Sequence, residues 1–178
     1  MKSANDLSEL GWKAFFQQQL SLQEWEESTV ARVLTRDRSS VQVLGIEGRH
    51  TLELQSGMVD LATGDWVLLG EGHRFQRRLD RATQFSRKAA GTRAETQIIA
   101  ANVDTAFIVS SMNRDFNLNR IERYLALANE AGVTSVLVLT KRDLCDDEGR
   151  YISEAQSLDP SLMVIAVNGL DPESAAVL

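Results

Sequence analysis

The sequence predicts an α+β chain in two parts: a five-stranded β barrel of the OB type, followed by part of an α/β domain built on a parallel sheet. From Thr29 onward, short runs rich in β-branched and aromatic residues alternate with turn signals, as they do in small barrels. From Val103 the pattern becomes strand–helix–strand–helix–strand, which folds as a parallel sheet with right-handed crossovers. That second stretch offers three strands and two helices in about 78 residues, thin for a complete α/β domain.

Residues 1–27 read as a tail and an N-terminal helix. Leu10, Trp12, Phe15, Phe16 and Leu20 recur at roughly helical spacing over 8–20, which points to packing on a neighbour, and 1–7 read as a mobile tail. Residues 28–80 form the barrel, with strands expected at 29–35, 41–46, 50–54, 66–69 and 74–79 and Gly-, Ser- and Asp-containing turns between them. Residues 81–97 read as a basic connector. Residues 98–178 carry the partial α/β domain. Its strands are expected at 103–109, 133–139 and 162–167. A helix at 117–131 sets Leu118, Ile121, Leu125 and Ala128 on one face, with Asn119 and Glu122 as a possible N-terminal box and Gly132 as a stop. A weaker helix is expected at 146–158, and a further one begins near Ser174.

The chain has 178 residues, 43% apolar and 25% charged, the balance of a soluble globular protein. No apolar run approaches the ~20 residues that span a bilayer. The stretch from Met1 to Glu9 carries acid and no apolar segment of a signal peptide, so no membrane partner and a reducing, cytoplasmic setting are expected. Cys145 is the single cysteine; with His50 and His73 it makes no Cys/His zinc pattern, so no metal ligands are expected in this chain. Cys145 reads as a loop residue, since no histidine lies near it in sequence to activate it.

The apolar run 133–139 ends in Thr140-Lys141-Arg142-Asp143. Ligands of open α/β sheets bind outside the carboxyl ends of strands, where this tetrapeptide would lie. Such a loop can read guanine. The base presents two adjacent donors, N1–H and the 2-amino group, and one carboxylate has two oxygens to accept both. Adenine lacks that pair, and a site built around hydrogen bonds rejects an analogue that cannot make them. Lys141 can lay its alkyl stem along a base plane and keep its charge in water. The alternative is an ordinary polar loop before a helix. The phosphate half of a nucleotide site is missing: none of Lys2, Lys13, Lys88 and Lys141 stands in a Gly-x-x-x-x-Gly-Lys-Ser/Thr loop.

The formal net charge of −6 is uneven: −3 over 1–27, +3 over 28–100 and −6 over 101–178. Basic charge is densest at Arg74, Arg77, Arg78, Arg81, Arg87, Lys88 and Arg93, against Asp80 alone. These residues are candidates for RNA phosphate contacts; the competing reading is a solvated edge that protects the barrel from strand addition.

Several ordered motifs carry a family resemblance. Gly64-Asp65-Trp66-Val67 is followed by Phe85-Ser86-Arg87-Lys88-Ala89-Ala90, then Gln97-Ile-Ile-Ala-Ala-Asn-Val-Asp-Thr-Ala-Phe-Ile-Val109. Asp115-Phe-Asn-Leu-Asn-Arg-Ile-Glu-Arg-Tyr-Leu-Ala-Leu-Ala128 and Leu139-Thr-Lys-Arg-Asp-Leu-Cys145 complete the set. From about residue 30 to the end the chain resembles the circularly permuted GTPases of the ribosome small-subunit-dependent GTPase A family. The resemblance implies an OB barrel ahead of a P-loop GTPase-like domain whose base-reading motifs precede the phosphate loop. On this reading the P-loop, the Mg²⁺ ligands, all catalytic residues and a zinc-binding domain lie beyond Leu178, and this chain alone is inactive. Thr140, Lys141 and Asp143, with Arg142 between them, match the base-reading motif. Val167-Asn168-Gly169 falls where the family places its second guanine loop, with Asn168 and Gly169 departing from the Ser-Ala-like residues of many members. The implied function is a GTP-binding and GTP-hydrolysing factor, using GTP/GDP with Mg²⁺, for late maturation of the small (30S) ribosomal subunit. Its partners would be that subunit and its rRNA, and it would act as a monomer. The alternative is an OB-fold RNA-binding module with no hydrolytic activity.

Overall fold

In the computed structural model, which describes residues 6–88 and 96–178, all five expected barrel strands form. They are β1 (Thr29–Arg36), β2 (Ser40–Gly45), β3 (Gly48–Glu53), β4 (Trp66–Gly70) and β5 (Arg74–Arg78). The sheet is antiparallel, in the order β3-β2-β1-β4-β5. Alternation explains the inner face: Val41 and Val43 on β2 point inward with Ala31 and Val33 of β1 and Val67 and Leu69 of β4. Strand β4 is buried on both faces. Its other side, Trp66 and Leu68, packs with Val30 and Leu79 against the N-terminal segment.

That segment is not the single helix expected over 8–20. Gly11 turns the chain with φ +83°, α1 (Ala14–Gln17) is one turn long, and α2 (Leu22–Glu27) starts at a capping box between Ser21 and Glu24. The aromatic residues do pack on a neighbour: the Trp12 and Phe16 rings lie 4.8 and 5.8 Å from Trp66. The expected mobile tail falls mostly on residues 1–5, outside the described residues, and Leu7 packs against the barrel.

The stretch read as a basic connector, 81–97, holds β6 (Gln84–Lys88) and the start of β7 (Thr96–Ala101), which pair with each other; the rest of β7 falls in the stretch read as the start of the α/β domain but belongs to the first unit. Neither strand alternates in the sequence: β6 has Phe85 as its one apolar residue, and β7 ends in the unbroken run Ile98-Ile99-Ala100-Ala101. The hairpin is anchored at the Gly64 turn, where the Ala101 N–H donates to Thr63 O at 2.9 Å and the Asn102 amide donates to Gly64 O at 3.0 Å. The Asn102 Oδ1 in turn accepts the Ala82 N–H at 2.8 Å.

The chain divides into two units between Val103 and Asp104. In the second, β8 (Thr105–Ser111), β9 (Thr134–Thr140) and β10 (Met163–Ala166) form a parallel sheet in the order β10-β9-β8. Helix α3 (Leu118–Glu130) buries Ile121, Leu125 and Ala128, as its periodicity predicts. Its cap is Asn117, whose side chain accepts the Arg120 N–H, so the expected box at Asn119 and Glu122 lies inside the helix instead. Gly132, at φ +70°, follows its end. Helix α4 (Glu148–Gln156) is capped by Asp147, and α5 (Pro172–Ala175) by Asp171. Leu137 and Leu139 of β9 face the core with Ile108, Ile121, Leu125 and Ala155, while Val136 and Val138 face the other side with Val167. On that other side Phe107, Val109 and Met163 are 51%, 64% and 60% exposed. No helix among the described residues is long and apolar enough to cross a membrane.

Candidate functional site

Strand β9 delivers Thr140 to the carboxyl edge of the parallel sheet. The Thr140 hydroxyl donates to Ser110 O at 3.2 Å, and its carbonyl accepts the Met112 N–H at 3.0 Å, so its role is to fix the strand end. The chain then breaks sharply. Lys141 sits in the left-handed region at φ 63°, ψ 38°, uncommon for a residue other than glycine. A 3-10 turn, Arg142–Leu144, follows, and Cys145 ends it, partly buried against the core of the second unit. The break lifts Lys141 and Asp143 out of the sheet.

A second loop meets this one. The Val167 N–H donates to Leu139 O at 2.8 Å, continuing the β9–β10 ladder, and the Arg142 N–H donates to Val167 O at 3.2 Å, joining the loops. The Asn168 N–H donates to the Ser174 hydroxyl at 2.9 Å, and the Asn168 Oδ1 accepts the Leu170 N–H at 3.0 Å. Ser174, at the end of the short α5, is therefore a positioning group that the sequence alone gave no reason to single out.

The two loops line one open cleft of about 360 Å³, with Thr140, Lys141, Asp143, Leu144, Asn168, Gly169 and Leu170 on its walls. Five of the six residues proposed from the sequence meet here. Arg142 does not line it; its guanidinium pairs with Glu148 at 2.7 Å on α4. The Asp143 carboxylate is exposed and has no hydrogen-bond or ion-pair partner among the described residues. Leu144 and Leu170, 72% and 89% exposed, were not anticipated. Bare leucines in a polar loop are the signal that could have found them, since an apolar wall suits the face of a flat ring. The cleft thus offers one carboxylate with two acceptor oxygens, the backbone of the Asn168-Gly169 turn, and apolar walls at Leu144 and Leu170.

The basic residues divide. Arg77 gives Nε to Glu24 at 2.7 Å and Nη2 to Gln19 O at 2.8 Å. Arg81 is buried against Asp65, Asp60 O and Gln84. Arg78 donates to Leu79 O at 3.1 Å, and Arg74 is exposed. Arg87 and Lys88 lie on β6 with their side chains outside the description, and Arg93 lies outside the described residues. Both the Arg81 and Arg77 pairings are long-range, which residue spacing does not reveal.

The family model described as RsgA GTPase matches residues 78–174. The small ribosomal subunit biogenesis GTPase RsgA 2 of Vibrio parahaemolyticus is 50% identical over 178 residues, which cover 100% of this chain and 50% of that protein. The small ribosomal subunit biogenesis GTPase RsgA of Mesorhizobium japonicum is 42% identical, over 99% of this chain and 51% of that protein. The chain spans about half the length of the curated relatives it matches. Among solved structures, YjeQ from Thermotoga maritima superposes with a TM-score of 0.62 at 19% identity, covering 79% of this chain and 52% of that one. YloQ, a circularly permuted GTPase, gives 0.60 at 17% identity, covering 84% of this chain and 55% of that one. At these identities the likeness shows the fold: an OB-type barrel followed by part of a circularly permuted GTPase-like α/β domain.

Proposed function

Because the chain belongs to the RsgA GTPase family, we propose that it carries the guanine-reading half of a GTP-binding and GTP-hydrolysing factor for late maturation of the small ribosomal subunit. The observation that carries this reading is the cleft that gathers Lys141, Asp143, Asn168 and Gly169 around an unpartnered carboxylate. Asp143 accepts N1–H and the 2-amino group of guanine. The Asn168 N–H is engaged by Ser174, whereas no described group accepts the N–H of Gly169, so Gly169 is the donor to the base oxygen. The Lys141 stem, Leu144 and Leu170 cover the ring faces.

GTP and Mg²⁺ are the ligands of the complete site, and phosphoryl transfer depends on positioning and charge around the γ-phosphate. No segment here has the sequence of a phosphate-cradling loop, so this chain alone turns over no GTP. The half-uncovered sheet face at Phe107, Val109 and Met163 supports the same reading, since parallel sheets are covered on both faces. With only the base held, two charge-assisted hydrogen bonds of ~1.5–3 kcal/mol each work against several kcal/mol of lost freedom. Affinity on the order of millimolar follows.

Ligand-observed saturation-transfer NMR suits that range. GMP should receive more saturation than AMP, and Asp143→Asn, which turns one acceptor into a donor, should move the preference from GMP toward XMP. Equal response to GMP and AMP in the unmodified chain would refute the guanine site. GTP turnover by the 178 residues would refute the assignment of catalysis elsewhere.

The barrel's proposed partner is small-subunit rRNA, through Arg74, Arg78, Arg87, Lys88 and Arg93. Arg77 and Arg81 serve internal pairs instead. Charge reversal at Arg74, Arg78 and Arg87 should weaken co-sedimentation with small subunits and flatten its salt dependence. An unchanged salt series would refute this contact.

A further inference from the structure

We propose that Glu47, His50 and His73 form a binding site for a divalent transition metal of zinc-like chemistry, which clips the open seam of the barrel. The sheet order makes β3 and β5 its two edges, and no ladder joins them among the described residues. A five-stranded barrel of this type is only partly closed. His50, on β3, and His73, immediately before β5, meet across that seam with ring centroids 3.8 Å apart. The His73 Nδ1 lies 3.5 Å from the Glu47 carboxylate, and one ligand atom from each of the three residues falls within 4.8 Å of the others.

The donor set decides the class of ion. Two imidazoles and a carboxylate are ligands that zinc takes, with a fourth position left for water, whereas calcium and magnesium require oxygen. Zinc bonds of ~2.0–2.2 Å hold ligand atoms ~3.3–3.5 Å apart. Side-chain rotation closes the remaining gap, and His73 and Glu47, at 40% and 50% side-chain exposure, are free to make it.

Two further observations point to a ligand. The His50 Nε2 is buried with no hydrogen-bond partner, a cost that a buried polar atom rarely carries. The backbone holds His73 at φ 56°, directly after Gly72 at φ 66°. A histidine held left-handed is strained in a way that often marks a functional turn. Glu47 is placed by the tight β2–β3 turn, where Gly48 has φ +104°. All three ligands therefore stand on fixed elements at the barrel's one unlaced edge. Metal bound there ties residues 50 and 73 together in the native state only, and so stabilises the first unit.

The chain has two histidines, so long-range ¹H–¹⁵N spectra of the imidazoles report the site directly. Zinc chloride titrated into the 178-residue chain should shift both ring systems with a stoichiometry of one and raise the melting temperature. Cobalt(II) should give visible ligand-field bands. His50→Gln and His73→Asn, the latter because Asn tolerates the left-handed region, should each raise the dissociation constant by about tenfold or more. Glu47→Gln, at an exposed turn, should weaken binding likewise and serves where a histidine variant unfolds. Cys145→Ser should change nothing. No response of either ring at millimolar zinc would leave a stacked aromatic pair only and overturn the site. So would binding that survives the histidine and glutamate variants but is lost in Cys145→Ser.

Discussion

Arg81 grips Asp65 with two parallel hydrogen bonds, Nε to Oδ1 and Nη2 to Oδ2, each 2.7 Å long and closed off from water with side chains 9% and 0% exposed. The same carboxylate accepts the Ala62 N–H at 2.8 Å, and Nη2 reaches Asp60 O. The pair ties the segment after β5 to the turn that launches β4. Arg81→Met would leave a buried carboxylate unpaired. Loss of one partner of such a pair costs about 3–5 kcal/mol. Urea unfolding should show a loss of that order, whereas Arg74→Ala, at an exposed position, should stay within about 0.5 kcal/mol.

Gly64 opens that same turn at φ +93°, and a Cβ built on it would lie 2.0 Å from Ala101 O. Gly64→Ala therefore combines a left-handed backbone with a backbone clash. Gly48→Ala meets open space at φ +104° and bears the conformational cost alone, about 1–2 kcal/mol. Gly64→Ala should be the more destabilising of the two, and it should also perturb the amide resonances of Ala101 and Asn102. Equal melting temperatures for the two variants would count against the clash.

Glu24 gives the protein a pH dependence. The Arg77 guanidinium, and next the Ser21 backbone N–H, hold its carboxyl down at about 2, against an ordinary value of 4.5. A depressed carboxylate stabilises the fold fully above its unfolded value and loses that contribution as pH falls through the folded one. Acid titration monitored by Trp fluorescence should therefore show stability lost between pH 4.5 and about 2. Arg77→Gln should shrink the loss in that window, because Glu24, left with the Ser21 cap alone, would titrate closer to its ordinary value.

The sheet face carrying Phe107, Val109 and Met163 should bind a hydrophobic dye such as ANS. Phe107→Ser with Val109→Thr should reduce dye fluorescence while leaving the far-UV spectrum of the 178 residues unchanged. Undiminished fluorescence in the double variant would place the apolar surface elsewhere.

Periodicity made the repetitive elements readable. Alternation marked the barrel strands, the 3.6 period marked α3, and the short apolar run marked β9. The β6–β7 hairpin escaped because β6 is polar apart from Phe85 and the apolar residues of β7 are contiguous, which leaves no alternating face to read. The N-terminal helix was overextended because Gly11 and tertiary contacts to Trp66 break its period.

The sequence by itself determined the order of the five barrel strands and of the later strands and helices from β8 onward, and the position of the Thr-Lys-x-Asp loop, because strand pattern, helical period and a contiguous tetrapeptide are local properties of the chain. Only the tertiary structure decided which charged side chains are free: Asp143 stays unpartnered, while Arg77, Arg81 and Arg142 are occupied by Glu24, Asp65 and Glu148. It also brought His50 against His73 across the barrel seam and Ser174 against Asn168. The physical reason is distance along the chain. A side chain's charge is written in the sequence, but the partner that neutralises it, 53 residues away for Arg77 and 16 for Arg81, is chosen by how the strands close on one another.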